Sequence, residues 1–367
     1  MSSLQVRLAQ DGDNQQLLQL TRDCPVLGPI SFYQERDPRF FTLNELQGES
    51  YRVFVVESDN HIVGSVSCTL KWVYLNGLEV PIWYIGDLKI APRMRGKGVL
   101  RSFVTQASRL LWETGAKVDL GLSLIVKTNP ASRVLTGTRP YMPHFVPLGT
   151  IRNYAVHLLF PKKIDDRFQV TRATGQDIEA MTGLIRSAYA QKQFAPVIEP
   201  AGFLKKVEQT PGLGLHQFYL AKHQGRLLGL AAVWDQQVFK RIKILSFSPR
   251  VRLSRLFFNF FAKLFGFRPI PTPGSFLPYF YLTHVAIEGD DPAVLHALLS
   301  RIQNDHLKDS YLFFTVGLLQ GSPLEQAMRG FFCHTFDTLA FALLPRGSRW
   351  EHVDFHRLPL HIDTALT

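Results

Sequence analysis

Tyr84–Leu100 reads YIGDLKIAPRMRGKGVL. An apolar, β-prone run ends at Ala91 and Pro92, gives way to a basic glycine loop from Arg93 to Gly98, and passes at once into an amphipathic segment. The order is strand, phosphate-sized loop, helix. Gly96 and Gly98 let the backbone come close to a bulky anion, and the first turn of the following helix offers unpaired N–H groups at its positive dipole end. The guest predicted by this order is a pyrophosphate. The loop lacks both the Lys-Ser/Thr ending of a P-loop and the three-glycine dinucleotide pattern, so neither ATP nor NAD is favoured.

Working outward, the run has a second copy. Tyr84–Ile90 can be laid on YLTHVAI at Tyr281–Ile287, and each run is followed by a helix-like segment and a β-rich strand, GLSLIVKT or YLFFTVGL. A helix start with Pro in its first turn comes next, Asn129-Pro130 in one copy and Ser322-Pro323 in the other. Upstream, Gln5–Ala9 and Phe168–Ala173 read as first strands, followed by helices over Asp11–Cys24 and Gly175–Gln191. Tyr51–Val56 and Gln217–Ala221 read as second strands, with turns at Asp59-Asn60 and His223–Gly225 leading into His61–Trp72 and Arg226–Trp234. Each copy is expected to close on its own alternating strand, near Asn153–Leu159 and Thr338–Leu344. The expected division is a first domain over 1–160, a linker over 161–167, a second domain over 168–345 carrying an insertion at 236–277, and a tail over 346–367.

The 367 residues exceed the usual size of one core, which agrees with two domains. Cys24, Cys68 and Cys333 form a sparse, odd set without metal-ligand spacing, so neither disulfides nor a metal site is expected. The first residues show no leader pattern, and no run approaches the roughly 20 apolar residues that cross a bilayer, so the expectation is a cytoplasmic protein. Formal net charge is +11. Such an excess suits nucleic acid, anionic lipid or a ligand with several phosphates.

Arg93-x-x-Gly96-x-Gly98 after a strand resembles the signature of the GNAT acyltransferase superfamily, whose members bind the pyrophosphate of coenzyme A at that place. The fold implied is α/β (α+β): two tandem GNAT-like domains, each a mixed, mostly antiparallel sheet flanked by helices. The activity implied is transfer of an acyl group from acetyl-CoA or another acyl-CoA to an amine by direct attack, the acceptor being a small molecule or a peptide. On the resemblance, Leu88, Lys89 and Ile90 face the thioester; Arg93, Met94, Arg95, Gly96, Lys97, Gly98 and Val99 hold the phosphates; Asn129 and Ser132 are further contacts. The second copy has Glu288-Gly289-Asp290-Asp291-Pro292 in place of the loop. Acidic side chains and a missing N–H would repel a pyrophosphate, so only the first copy is expected to bind coenzyme A.

Acyl transfer needs a neutral amine, donors for an oxyanion and a proton for the thiolate. Asp87 is the one carboxylate on the strand leading to the loop, and is a candidate general base if partial burial raises its pKa; it would equally serve as a structural hydrogen-bond acceptor. Thr136 stands where the family usually places a Tyr acid. Tyr141 or Tyr154 is the substitute, unless the thiolate leaves without one. The charged and aromatic stretch Glu35–Phe41 is either an acceptor wall or a structural cap.

Between Gln236 and Ile287 there is no Asp or Glu, while eight Lys and Arg residues fall there, and Arg250–Arg268 alternates cations with Phe and Leu at near-helical spacing. The expectation is an amphipathic helix packed by its apolar side, with contact to an anionic membrane as the alternative; nucleic acid fits less well. The rival to an enzyme is a non-catalytic acyl-CoA-binding or regulatory protein.

Overall fold

A computed structural model describes residues 4–112, 118–129, 137 and 139–367. In chain order the strands are β1 (Gln5–Leu8), β2 (Ile30–Glu35), β3 (Ser50–Ser58), β4 (His61–Leu75), β5 (Leu78–Ile90), β6 (Gly121–Val126), β7 (His144–His157), β8 (Gln169–Arg172), β9 (Phe218–His223), β10 (Arg226–Trp234), β11 (Arg241–Phe247), β12 (Tyr279–Ile287), β13 (Phe313–Leu319) and β14 (Cys333–Leu344). The helices are α1 (Asn14–Asp23), α2 (Thr42–Gln47), α3 (Val99–Trp112), α4 (Ile178–Ala190), α5 (Phe203–Gln209), α6 (Pro249–Phe265) and α7 (Pro292–His306). The fold class is the mixed α/β one expected.

Two sets of five strands repeat one topology. β1-β3-β4-β5-β6 and β8-β9-β10-β12-β13 both run antiparallel until a final parallel pair, β5 with β6 and β12 with β13. The hairpin turns fall where the sequence places them, with positive φ at Asp59 and Asn60 and again at Gln224 and Gly225, the backbone that matches strand twist.

The closing strands depart from expectation. β7, from the first half, pairs with β13 of the second; β14, from the second, pairs with β6 of the first; and β7 and β14 pair with each other. The exchange joins both halves into one 12-stranded sheet. Its physical basis is that both closing strands carry the same alternating apolar pattern, so each satisfies the other half's edge as well as its own. Each half keeps a core: α3 places Val99, Phe103, Ala107 and Leu111 against the first, and α7 buries Leu295, Leu298 and Ile302 against the second.

The tail beyond β14 crosses the junction. Phe355, Leu360 and Ile362 pack with Ile82, Leu122 and Ala342. Trp350 donates to Asp119 (2.9 Å), while the carbonyl of Leu366 accepts from Gln47 (3.1 Å) and that of Ala365 from Gln236 (2.8 Å). Among the described residues no helix is long and apolar enough to cross a membrane.

Candidate active site

β5 is kinked where its chemistry begins. Asp87 has φ 55°, and the β4–β5 register slips there, so Asp87 and Leu88 stand outside the ladder. On its other side β5 meets β6 at only two rungs, Trp83↔Gly121 and Tyr84↔Leu122. Beyond Tyr84 the two strands diverge, and the edge from Ile85 to Ile90 opens into a wedge with no ladder partner among the described residues. Leu88, Lys89 and Ile90 line that edge, half-buried.

The wedge opens toward the glycine loop. Pro92–Met94 forms a single 3-10 turn, and Gly96 and Gly98 both have φ 77°, a conformation that favours glycine. A side chain at either would meet open space, so their backbone is exposed to a ligand. Arg93, Arg95 and Lys97 are exposed around it, and Arg95 Nε is tied to the carbonyl of Ile90 (3.1 Å). The bond from Ser102 N–H to Gly98 O begins α3, leaving the N–H groups of Val99, Leu100 and Arg101 ahead of it. Positive side chains, a cradle a Cβ would occupy and a helix N-terminus all fit a pyrophosphate. Met94 and Val99 pack beneath the loop in the first core. Asn129 is exposed after β6; Ser132 and Thr136 lie outside the described residues.

The sequence reading has Asp87 as a base with a raised pKa, and its surroundings push the other way. Burial alone would raise its pKa, but Lys89 (2.8 Å) and Arg36 both bind the carboxylate and hold it well below the usual range. Arg36, at the end of β2, is 1% exposed, stacks on Phe40 and also reaches Asn44 (3.3 Å). This ion pair gives the Glu35–Phe41 stretch a structural part, since Arg36 supports the bulge. Arg36 went unassigned in the sequence because nothing local distinguishes it from Arg39. Tyr154 lies away from the glycine loop. It sits in the core of the second half and donates to Glu325 (2.6 Å), and burial with that carboxylate pushes its hydroxyl pKa up. Tyr141 is half-buried, bonded by Arg139 (2.8 Å), with Arg101 of α3 beside its ring.

A cavity of about 560 Å³ reaches the apex of the wedge at Tyr84 and Leu122 and extends between the halves. Phe203, Val207 and Trp234 supply apolar wall, and Glu49, Lys71, His284 and Asp363 supply polar groups. Burial pushes Lys71 down to about 8, Asp363 opposing and Lys206 adding. Burial also lowers His284, which is therefore neutral near pH 7.

His284 is the counterpart of Asp87. Its φ is 52°, and β12 slips register against β10 there as β5 does against β4. Yet the tail occupies the second wedge. Asp363 accepts from the Thr283 hydroxyl (2.6 Å) and from the His284 N–H (3.2 Å), and Thr364 packs so closely on Gly317 that a Cβ there would fall 2.4 Å away. A cavity of about 450 Å³ remains in the outer part of that wedge, with Asp290 on its wall. The loop beside it is already satisfied: Glu288 pairs with Arg226, Asp290 with Lys192, and Asp291 caps α7 through Ala293 N–H (2.8 Å).

Residues 14–134 match the acetyltransferase (GNAT) family model. Compared by sequence with curated proteins, the chain has no match. Among solved structures it is similar to the Saccharomyces cerevisiae N-myristoyltransferase with bound myristoyl-CoA, at TM-score 0.61 and 13% identity over 99% of this chain and 86% of that one. It is also similar to GCN5-related N-acetyltransferases from Sphaerobacter thermophilus (TM-score 0.58, 10% identity, 93% and 95% covered) and Anabaena variabilis (0.51, 11%, 92% and 72%). At such identities the structural likeness speaks for the fold, and the family match speaks for the half that holds the glycine loop. Residues 14–134 thus carry a match to the GNAT acetyltransferase family, and the two halves of the chain together share the GNAT-like fold.

Proposed function

We propose that the chain is an acyl-CoA-dependent N-acyltransferase with one donor site, in the first half. The observation that carries the reading is the continuity of three features: the bulge at Asp87, the wedge between β5 and β6, and the basic loop running into α3. Coenzyme A would lie with its pyrophosphate on Gly96–Val99, Arg93, Arg95 and Lys97 meeting phosphate, and its thioester between the diverging strands. The backbone of Leu88–Ile90 would then receive the oxyanion. Asn129 and Ser132 complete the assignment as cofactor contacts.

In the reaction the amine nitrogen forms a bond to the thioester carbon and the carbonyl pair moves onto oxygen. Collapse breaks the C–S bond, and the proton lost by nitrogen balances the one gained by the thiolate. Asp87, held ionised by two cations, is too weak a base to take that proton and serves to fix the bulge. The neutral base offered by the cavity is His284, and Tyr141, beside α3, is the candidate donor to the thiolate. Glu49 and Asp363 would draw a cationic amine, small or peptidic, into the cavity. The donor carries acetyl or a longer chain, for which 560 Å³ leaves room. Three free thiols suit a reducing cytoplasm.

Calorimetric titration with acetyl-CoA, a long-chain acyl-CoA and desulfo-CoA tests this. One site per chain, lost in Gly98→Asp, supports the donor site, and the preferred chain length selects the acyl group. Absence of binding would overturn the assignment, whereas binding without transfer to any amine would favour the non-catalytic acyl-CoA-binding reading.

A further inference from the structure

Helix α6 is attached by its polar side. Leu253, Leu256, Phe257, Phe260 and Leu264 recur at helical spacing on one face and are 58%, 63%, 62%, 68% and 67% exposed, with Phe261 and Phe265 continuing the stripe. The opposite face holds the helix to the protein. Ala262 is buried, Arg255 donates to the carbonyls of Ile270 (3.0 Å) and Pro271 (3.1 Å), and Asn259 both donates to Ile270 O (3.0 Å) and accepts from Ile270 N–H (2.8 Å). Both ends are defined, by a Ser248 N-cap and by Gly266 in the left-handed conformation, so this is a built helix. The packing expected from the sequence, apolar side inward, is reversed. An apolar face of this size left in water implies an occupant.

Charge identifies that occupant. Arg250, Arg252, Lys263 and Arg268 are exposed along the helix and its exit, Arg252 and Lys263 flanking the stripe, and β11 adds Arg241 and Lys243. No carboxylate occurs from Gln236 to Ile287. A second copy docking stripe to stripe would bring these cations together with nothing in the segment to neutralise them. A phosphate-rich lipid surface offers both an apolar phase and the opposite charge.

We propose that α6 is an interfacial membrane helix, lying in the plane of an anionic bilayer with its Leu and Phe face in the acyl region and its cations at the lipid phosphates. β11, which leads into α6, pairs with β2, and β2 runs into Arg36. The docked helix is therefore joined through one strand pair to the residue that holds the Asp87 bulge.

The test is flotation of the intact chain with phosphatidylcholine vesicles that contain or lack phosphatidylserine, at low and high salt. The expected result is binding to the anionic vesicles that weakens with salt and falls about tenfold or more in Phe257→Ser/Phe260→Ser and in Arg252→Glu/Lys263→Glu. All four positions are exposed, and unchanged thermal unfolding confirms that the variants are folded. No binding to anionic vesicles, or binding that neither pair alters, would overturn the proposal. So would a stable dimer in sedimentation that the Phe pair abolishes while vesicle binding is absent.

Discussion

The two bulges share a backbone and differ in everything attached to it. Asp87 and His284 have φ values of 55° and 52°, and each stands three residues past the Tyr at which its strand makes its last rung with the parallel neighbour. After Asp87 comes a cationic loop with two left-handed glycines and an open wedge. After His284 comes an acidic loop whose charges are already paired, beside a wedge entered by Asp363 and Thr364. The strand geometry that exposes a wedge is thus a property of the fold, while donor binding depends on the few side chains beyond it. Losing the cations and gaining a plug converts a copy of the site into a wall of its neighbour's cavity.

The comparison is tested hardest at Asp87. In Asp87→Asn the buried Arg36 loses its charge partner, and stability should fall by about 3–5 kcal/mol; His284→Asn should cost roughly 1 kcal/mol. Because the Asp87 carboxyl is held below its ordinary value, its contribution is present above about pH 4 and disappears as pH falls further, so the acid limb of unfolding should flatten in the variant. Equal costs at both bulges, read by denaturant unfolding, would break the contrast.

Next in size is the loop. Gly98→Asp strains a left-handed residue by about 1–2 kcal/mol and sets a carboxylate against phosphate, so acyl-CoA affinity should drop roughly a hundredfold. Gly289→Asp, at φ 60°, should leave that affinity unchanged. Calorimetry of the two variants sharpens or removes the assignment of a single donor site.

His284→Gln should lower kcat roughly a hundredfold while acyl-CoA affinity holds. The wild-type kcat/KM should fall with acid at a pKa below that of an ordinary histidine, and that limb should vanish in the variant. A retained limb would return the proton to solvent.

The remaining expected effect is a slope. Burial, with Arg36 adding and Asp87 and Asp363 opposing, pushes Lys240 down to about 7. Between about pH 7 and 10 the unfolded chain holds a proton there that the folded chain does not, so stability should rise with pH across that window. Lys240→Met should level the rise in Tm.

Much of the fold was legible because its signals are local. The glycine loop, the hairpin turns at Asp59-Asn60 and Gln224-Gly225, and the Tyr84–Ile90 repeat each lie within a few residues. The exchange of β7 and β14 was hidden because both carry the same alternation, and pattern sets which face is buried without choosing the neighbour. β2 and β11 form a ribbon whose members are over two hundred residues apart, so ISFYQE drew no strand assignment and RIKILSF fell inside the insertion. At the site, a lone carboxylate on a strand looks like a base until Arg36, 51 residues earlier, is seen against it. Helix α6 was legible as a helix, but its orientation is decided by hydrogen bonds from Arg255 and Asn259 to a segment the pattern does not address.

The strand exchange also sets a timetable for biosynthesis. Val126 pairs with Thr338, so the edge of β6 emerges from the ribosome and must wait for a partner roughly 210 residues behind it. At about 5–20 residues per second, the donor half spends some ten to forty seconds as an unfinished sheet with an exposed apolar edge. A nonsense mutation just ahead of β14 would therefore act as a lesion in the half that holds the glycine loop, because β6 would lose its partner.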